Sequence, residues 1–238
     1  MALPLANVAK YELTLPSQQK TINYRPFLVK EEKVLLMAME SGKSKEMITA
    51  IKEIVKSCTF GEMNAEDYPM FDIEYVFLQI RSKSVGEIAK IKVLCPDDGK
   101  TYADAEVDLS KIEVYVDDDH TNNIMIDDER KLGVVLKYPT LRDIDGDTLT
   151  GDINIEKTYK MIANSIEQIY EGDKVYLAKD STKKELDEFL ENLTADQMKK
   201  LTAFYNSMPR LEHKLKVKNP KTEVESEVTL KGLASFFA

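Results

Sequence analysis

The chain has 238 residues, 43% hydrophobic and 32% charged, a globular composition that excludes wholesale disorder and suffices for a core without disulfide or metal support. Its 33 basic and 42 acidic residues leave a net charge of −9, which opposes approach to phosphate backbones and anionic lipid, so nucleic acid and membrane are disfavoured as partners. Two cysteines, Cys58 and Cys95, are too few for a disulfide framework or a four-thiolate metal site.

Residues 11–15 alternate Tyr-Glu-Leu-Thr-Leu, residues 16–20 make a turn, and residues 21–27 read as a second strand, so a hairpin is expected first. Residues 30–40 are rich in helix formers, with Val34, Leu35, Met37 and Ala38 as the apolar stripe, and Ser41-Gly42 ends the run. A second helix is expected over 45–56, with Met47, Ile48, Ile51, Ile54 and Val55 on one side. A third begins near Asp72, just after Pro69, and carries Ile73, Tyr75, Val76, Phe77 and Ile80.

From Glu87 the apolar period changes to two. Residues 88–94 and 102–109 flank Cys95-Pro96-Asp97-Asp98-Gly99, a run of turn formers, and further strands are expected at 113–116, 123–126 and 133–137. Residues 140–152, with Gly146 and Gly151 among acidic side chains, read as an exposed loop or linker. Helical spacing returns over 155–170 with Tyr159, Ile162, Ile166 and Ile169 on one face, then over 182–191 and 194–207. Ser181 or Thr182 ahead of Glu185 is a capping-box signature, and Thr194 opens the following helix. Residues 212–218 and 223–230 surround Asn219-Pro220-Lys221-Thr222 as a terminal hairpin.

The expected class is α+β: an N-terminal hairpin with a short helical bundle, an antiparallel β middle region, and C-terminal helices ending in a β-hairpin. Four consecutive segments follow: 1–86 for the hairpin and three helices, 87–139 for the antiparallel β region, 140–153 for a flexible loop or linker, and 154–238 for the helical region with its terminal hairpin.

Residues that carry chemistry are sparse. Of the two histidines, His120 follows Asp117-Asp118-Asp119 and reads as part of a solvated acidic turn, while His213 reads as the rim of a strand. The run Asp143-Ile144-Asp145-Gly146-Asp147 fails the calcium-loop pattern, because its sixth and twelfth positions are Thr148 and Asn154. Cys95 sits on a turn whose neighbouring positions are aspartates, unlike a zinc knuckle. No phosphate-binding loop, dinucleotide fingerprint or nucleophile elbow occurs. Glu66 and Asp67 are adjacent carboxylates of the kind a glycan hydrolase uses, but nothing marks a cleft around them. The expectation is a protein-binding chain with no enzymatic activity, no cofactor and no metal.

Lys214, Lys216, Lys218 and Lys221 form a positive stripe that reads as a solvated strand face. Leu3, Pro4 and Leu5 at the start and Phe236 and Phe237 at the end are apolar, docked either on the chain's own core or on a partner. Pro26 removes a backbone donor and places the second strand at an edge or end, with Arg25 and Phe27 projecting to opposite sides. The candidate partner-binding residues are therefore Tyr24, Arg25, Phe27, Leu28, Phe236 and Phe237.

Two stretches support a family resemblance. One is Tyr24-Arg25-Pro26-Phe27 through Lys30-Glu31-Glu32-Lys33, with Leu35-Leu36-Met37-Ala38-Met39-Glu40-Ser41-Gly42 behind it. The other is Cys58, Phe60-Gly61, then Phe71, Glu74-Tyr75, Phe77-Leu78, Ile80-Arg81 and Lys83-Ser84-Val85-Gly86-Glu87. With Cys95-Pro96-Asp97-Asp98-Gly99, Tyr138-Pro139-Thr140 and the C-terminal run from Lys218 to Phe237, the chain resembles the baseplate hub assembly proteins of T4-like contractile-tailed bacteriophages. The resemblance is weakest over 141–153 and 171–193. It implies a late viral protein that promotes assembly of the baseplate hub in the host bacterial cytoplasm, among hub and tape-measure-associated tail proteins. A permanent place in the virion baseplate is the alternative, and homo-oligomerisation is left open. The resemblance supplies no catalytic residues. No run approaches the roughly 20 apolar residues of a membrane span, and the first residues lack the features of a signal peptide, in keeping with the cytoplasmic expectation.

Overall fold

The computed structural model describes residues 7–143 and 155–236, and these form an α+β fold of helices and antiparallel sheets. Two compact units divide it: Met1–Tyr115 with Arg210–Ala238, and Val116–Pro209. They do not follow the four consecutive segments expected from sequence. The expected β region 87–139 parts after Tyr115, and the terminal hairpin leaves the preceding helices for the first unit. The reason is a long-range pairing, Tyr115 opposite Arg210 and Val114 opposite Leu211, which local periodicity does not encode.

In the first unit, β1 (Tyr11–Thr14) and β2 (Thr21–Tyr24) form the expected hairpin, with Tyr11 opposite Tyr24. Helices α1 (Val29–Ser41), α2 (Ser44–Cys58) and α3 (Met70–Val85) follow. Gly42 ends α1 in the left-handed region at φ +64°, a conformation that costs glycine least. Phe71, Ile73, Val76, Phe77, Leu78 and Ile80 of α3 are all buried, so this helix is covered on most sides and anchors the core. Asp72 is buried with them; burial pushes its carboxyl upward, opposed by hydrogen bonds from the Ser17 hydroxyl and backbone N–H.

Strands β3 (Ile88–Leu94) and β4 (Tyr102–Asp108) pair in register around the expected Pro-Asp-Asp-Gly turn, burying Ala89, Ile91 and Val93 on one face. Strand β5 (Val114–Tyr115) joins β10 (Arg210–Lys218), which also pairs with β11 (Glu225–Lys231). Asp97 binds the tips of the two hairpins together: its carboxylate accepts from Asn219 Nδ2 at 3.0 Å and from Thr222 Oγ1 at 2.5 Å. Two of the exposed lysines of β10 stand opposite acids, Lys216 against Glu227 and Lys218 against Glu225, while Lys214 stands opposite Thr229. These cross-strand pairs balance part of the stripe's charge within the sheet.

In the second unit, β6 (Asn123–Asp127), β7 (Leu132–Leu136), β8 (Ile166–Glu171) and β9 (Lys174–Leu177) form an antiparallel sheet in that order. Helices α4 (Ile155–Ser165), α5 (Lys183–Glu191) and α6 (Ala195–Ser207) belong to the same unit. Its core gathers Ile126, Val134, Leu136, Ile162, Ile166, Leu190, Leu201 and Phe204. The single helix expected over 155–170 is corrected here: α4 stops at Ser165 and the chain continues as a strand. Ile162, Ile166 and Ile169 satisfy helical spacing, but β7 offers residues 166–171 a ladder broken only by a bulge at Glu167, and the Lys137 N–H donates to the Ser165 carbonyl at 2.8 Å. Gly172, at φ +57°, then reverses the chain into β9, which the sequence reading also missed.

Both expected helix starts are capped. Thr182 and Glu185 exchange hydrogen bonds of 2.7 and 3.3 Å, and Thr194 with Gln197 does the same at 2.9 and 3.2 Å. In the expected loop, the Asp143 carboxylate accepts from the Thr140 N–H at 2.9 Å; Asp145, Gly146, Asp147 and the rest of 144–153 lie outside the described residues. His120 is not in a solvated turn. Its ring stacks on Tyr138 and Phe204 and bonds the Ser207 and Tyr138 hydroxyls, both at 2.9 Å.

Candidate partner-binding surface

The junction between β2 and α1 is built on a buried charge cluster. Arg25 bonds Glu31 Oε1 at 2.9 Å, the Ser57 hydroxyl at 3.0 Å and the Pro26 carbonyl at 2.9 Å, and its backbone N–H donates to the Cys58 carbonyl at 2.9 Å. Ser57 in turn donates to Glu31 Oε1 at 2.8 Å. The other Glu31 oxygen accepts from the Leu28 N–H at 2.8 Å, the acidic half of a capping box at a position where leucine supplies no side-chain acceptor. Burial alone would raise the Glu31 carboxyl, but the bonds from Arg25, Ser57 and Leu28 outweigh it and hold its pKa at about 2. This cluster fixes both the start of α1 and its rotation.

Because Glu31 faces inward, α1 buries Glu31, Leu35 and Ala38. At about 100° per residue, the opposite side then carries Val29, Lys33, Leu36 and Glu40. Val29 is 79% exposed, Leu36 52% and the adjacent Met37 60%. Leu28, Val34 and Met39 are exposed as well. The apolar stripe expected at Val34, Leu35, Met37 and Ala38 is thus split, with Leu35 and Ala38 inward and Val34 and Met37 outward.

The sequence-derived candidates are placed unevenly. Tyr24 is buried, its ring 5.5 Å from that of Tyr11, and Arg25 is buried in the charge cluster. Phe27 is half-buried, with its N–H donating to the Ser84 hydroxyl at 2.9 Å, and Leu28 is exposed beside Val29. Phe236 is fully buried at the end of a short turn of helix, Leu233–Phe236, whose Leu233 N–H donates to Glu74 Oε1 at 3.0 Å. Phe237, like Leu3, Pro4 and Leu5, lies outside the described residues. So Phe27 and Leu28 adjoin an open surface, whereas Tyr24, Arg25 and Phe236 hold the fold beneath it.

Groups considered for catalysis are engaged elsewhere. Glu66 binds Lys52 at 2.9 Å, and Asp67 accepts from Asn64 Nδ2 at 2.9 Å. Burial pushes the Cys58 thiol up to about 11, away from nucleophilic reactivity. Among the described residues no group of His, Cys, Asp and Glu is arranged to hold a metal ion, and no helix is long and apolar enough to cross a membrane.

Against known families, the model of the T4 bacteriophage base plate protein matches residues 8–238. The chain belongs to this family. No curated protein and no solved structure matches it significantly. The match spans both units of the base plate protein, from before β1 to the C-terminus, and therefore includes the β2–α1 junction and the outward face of α1. A structural or assembly role in the phage baseplate follows from membership.

Proposed function

We propose that this base plate protein is a non-enzymatic, chaperone-like factor that binds baseplate hub and tape-measure-associated tail proteins in the infected bacterial cytoplasm and promotes assembly of the hub. The observation that carries this reading is the outward side of α1, where Val29, Leu36 and Met37 are each more than half exposed on a helix held rigidly by the Arg25–Glu31 cluster. An apolar helix face in water is an aggregation liability unless a partner covers it. Helix-in-groove recognition uses such faces, with leucine and methionine side chains as anchors. Phe27 and Leu28 lead into the surface and extend it.

Affinity capture from infected cells, using the intact chain and a Leu36→Asp variant, tests the reading. The intact chain is expected to retain tail proteins and the variant to lose them, with thermal stability nearly unchanged because Leu36 is exposed. Equal capture by both would remove α1 from the function. The second reading is a permanent subunit of the baseplate hub, and the family description, which names the base plate alone, is compatible with both. Mass spectrometry of purified virions separates the two: a stoichiometric amount supports the subunit, and enrichment in lysate complexes over virions supports the assembly factor.

A further inference from the structure

The four outermost positions of α1, Val29, Lys33, Leu36 and Glu40, are spaced four, three and four residues apart, the rhythm of a helix–helix seam. Lys33 and Glu40 have no ion-pair partner among the described residues, and they flank Leu36 on that seam. When two such helices lie antiparallel with the two-fold axis between Leu36 and Met37, each Lys33 meets the other copy's Glu40, and the pair forms twice. A parallel arrangement would set lysine against lysine and glutamate against glutamate. Met37 and Met39, both exposed, border the seam with side chains that adapt to an irregular facing surface.

We propose that the outward face of α1 binds the same face of a second copy of this chain, antiparallel, and that the pairing keeps the face covered until a baseplate protein takes it. The pairing stands on the geometry of α1; its role as a cover rests on the assembly function proposed above. The self-complementary charge identifies the occupant: the lysine and glutamate that this face presents are the groups its own copy satisfies. A helix of 13 residues is only about 20 Å long, so the contact is small and the dimer weak, with a dissociation constant on the order of micromolar. A weak dimer is what a displaceable cover requires, since a hub protein must compete with it.

Sedimentation velocity on the purified full chain, from roughly 1 to 500 µM at low salt, tests the pairing. The native chain is expected to shift from monomer to dimer across that range. Leu36→Asp, Lys33→Glu and Glu40→Lys are each expected to remain monomeric, and all three alter exposed side chains, so their melting temperatures should match the native chain within a few degrees. An equal mixture of Lys33→Glu and Glu40→Lys is then the deciding sample. Each variant repels itself, yet the two together restore both ion pairs, so the mixture is expected to dimerise, as is the Lys33→Glu/Glu40→Lys double variant. A native chain that stays monomeric throughout, a dimer indifferent to the single reversals, or a mixture no better than its components overturns the proposal. A monomer that still captures tail proteins through α1 leaves the assembly function standing without the cover. A dimer whose α1 captures nothing does the reverse.

Discussion

Gly133 on β7 lies directly beneath Tyr170 on β8: the two are register partners, and a Cβ at Gly133 would stand 2.2 Å from the tyrosine hydroxyl oxygen. The absent side chain lets the ring cross the β7 backbone, so that its hydroxyl donates to Asn123 Oδ1 on β6 at 2.7 Å. Three strands are thereby tied through one glycine. Gly133→Ala must lift the ring and break that bond, and is expected to cost about 1–3 kcal/mol in urea unfolding. In a Tyr170→Ala background the same change should cost less than ~1 kcal/mol, because the obstacle is gone. Equal penalties in both backgrounds would show that the ring is not what excludes a side chain.

The Arg25–Glu31 cluster carries a pH signature. Glu31 is held at about 2 in the folded chain against 4.5 for a free carboxyl. Its stabilising contribution is therefore fully present above about 4.5 and is lost as the pH falls through the interval down to 2. The loss amounts to about 3 kcal/mol, and Glu31→Gln should flatten the stability profile in that interval. Arg25→Met alone is expected to destabilise by about 3–5 kcal/mol, because it leaves the buried Glu31 carboxylate with only the exposed Lys30, 3.5 Å away, as a charge partner, and Arg25→Met with Glu31→Met by less. Chemical unfolding at pH 7 and pH 3 measures both, and an additive double variant would show the two side chains to be uncoupled.

Much of the architecture was legible where one local rule was sufficient. The β3–β4 hairpin shows strict alternation around Pro96-Asp97-Asp98-Gly99, and Thr182 with Glu185 announces α5. Legibility failed where distant residues decide. Residues 166–171 satisfy helical spacing and become a strand because β7 supplies a partner; Tyr115 and Arg210 pair although they lie far apart in sequence. The candidate surface failed for a related reason. A glutamate rarely turns inward, so Glu31 was not expected to set the rotation of α1, and Leu36 was not recognised as its outermost leucine. The signal available was that the apolar residues of α1 are not confined to one stripe: Val29, Leu36 and Met37 lie away from the buried Leu35 and Ala38, which in a helix at the surface points to a second covering partner.

The sequence left Phe236 and Phe237 docked either on the chain's own core or on a partner, and for Phe236 it is the core: its side chain is fully buried in the first unit. Phe236→Ala is therefore expected to destabilise the chain by about 3–5 kcal/mol. Differential scanning calorimetry reads this directly. Any loss of partner capture in that variant should track unfolding, in contrast to Leu36→Asp, which should lose capture while staying folded. A Phe236→Ala chain with an unchanged melting temperature would return the tail to the surface.

His120 gives a second pH dependence, in a different window. Its ring is enclosed by Tyr138, Phe204 and Ser207, and burial pulls its pKa below the ordinary 6.5, against a smaller upward pull from Asp117. The unfolded chain therefore takes up the proton first as the solution is acidified. Stability from the neutral ring is complete above about pH 6.5 and is lost as the pH falls through the lower folded value. His120→Gln retains hydrogen-bonding capacity without titrating, so its urea midpoint should fall less than that of the native chain between pH 7.5 and 5.5. The histidine ring proton, followed by NMR over the same range, should titrate below 6.5 in the folded protein. A midpoint above 6.5 would mean that Asp117, and not burial, governs the ring.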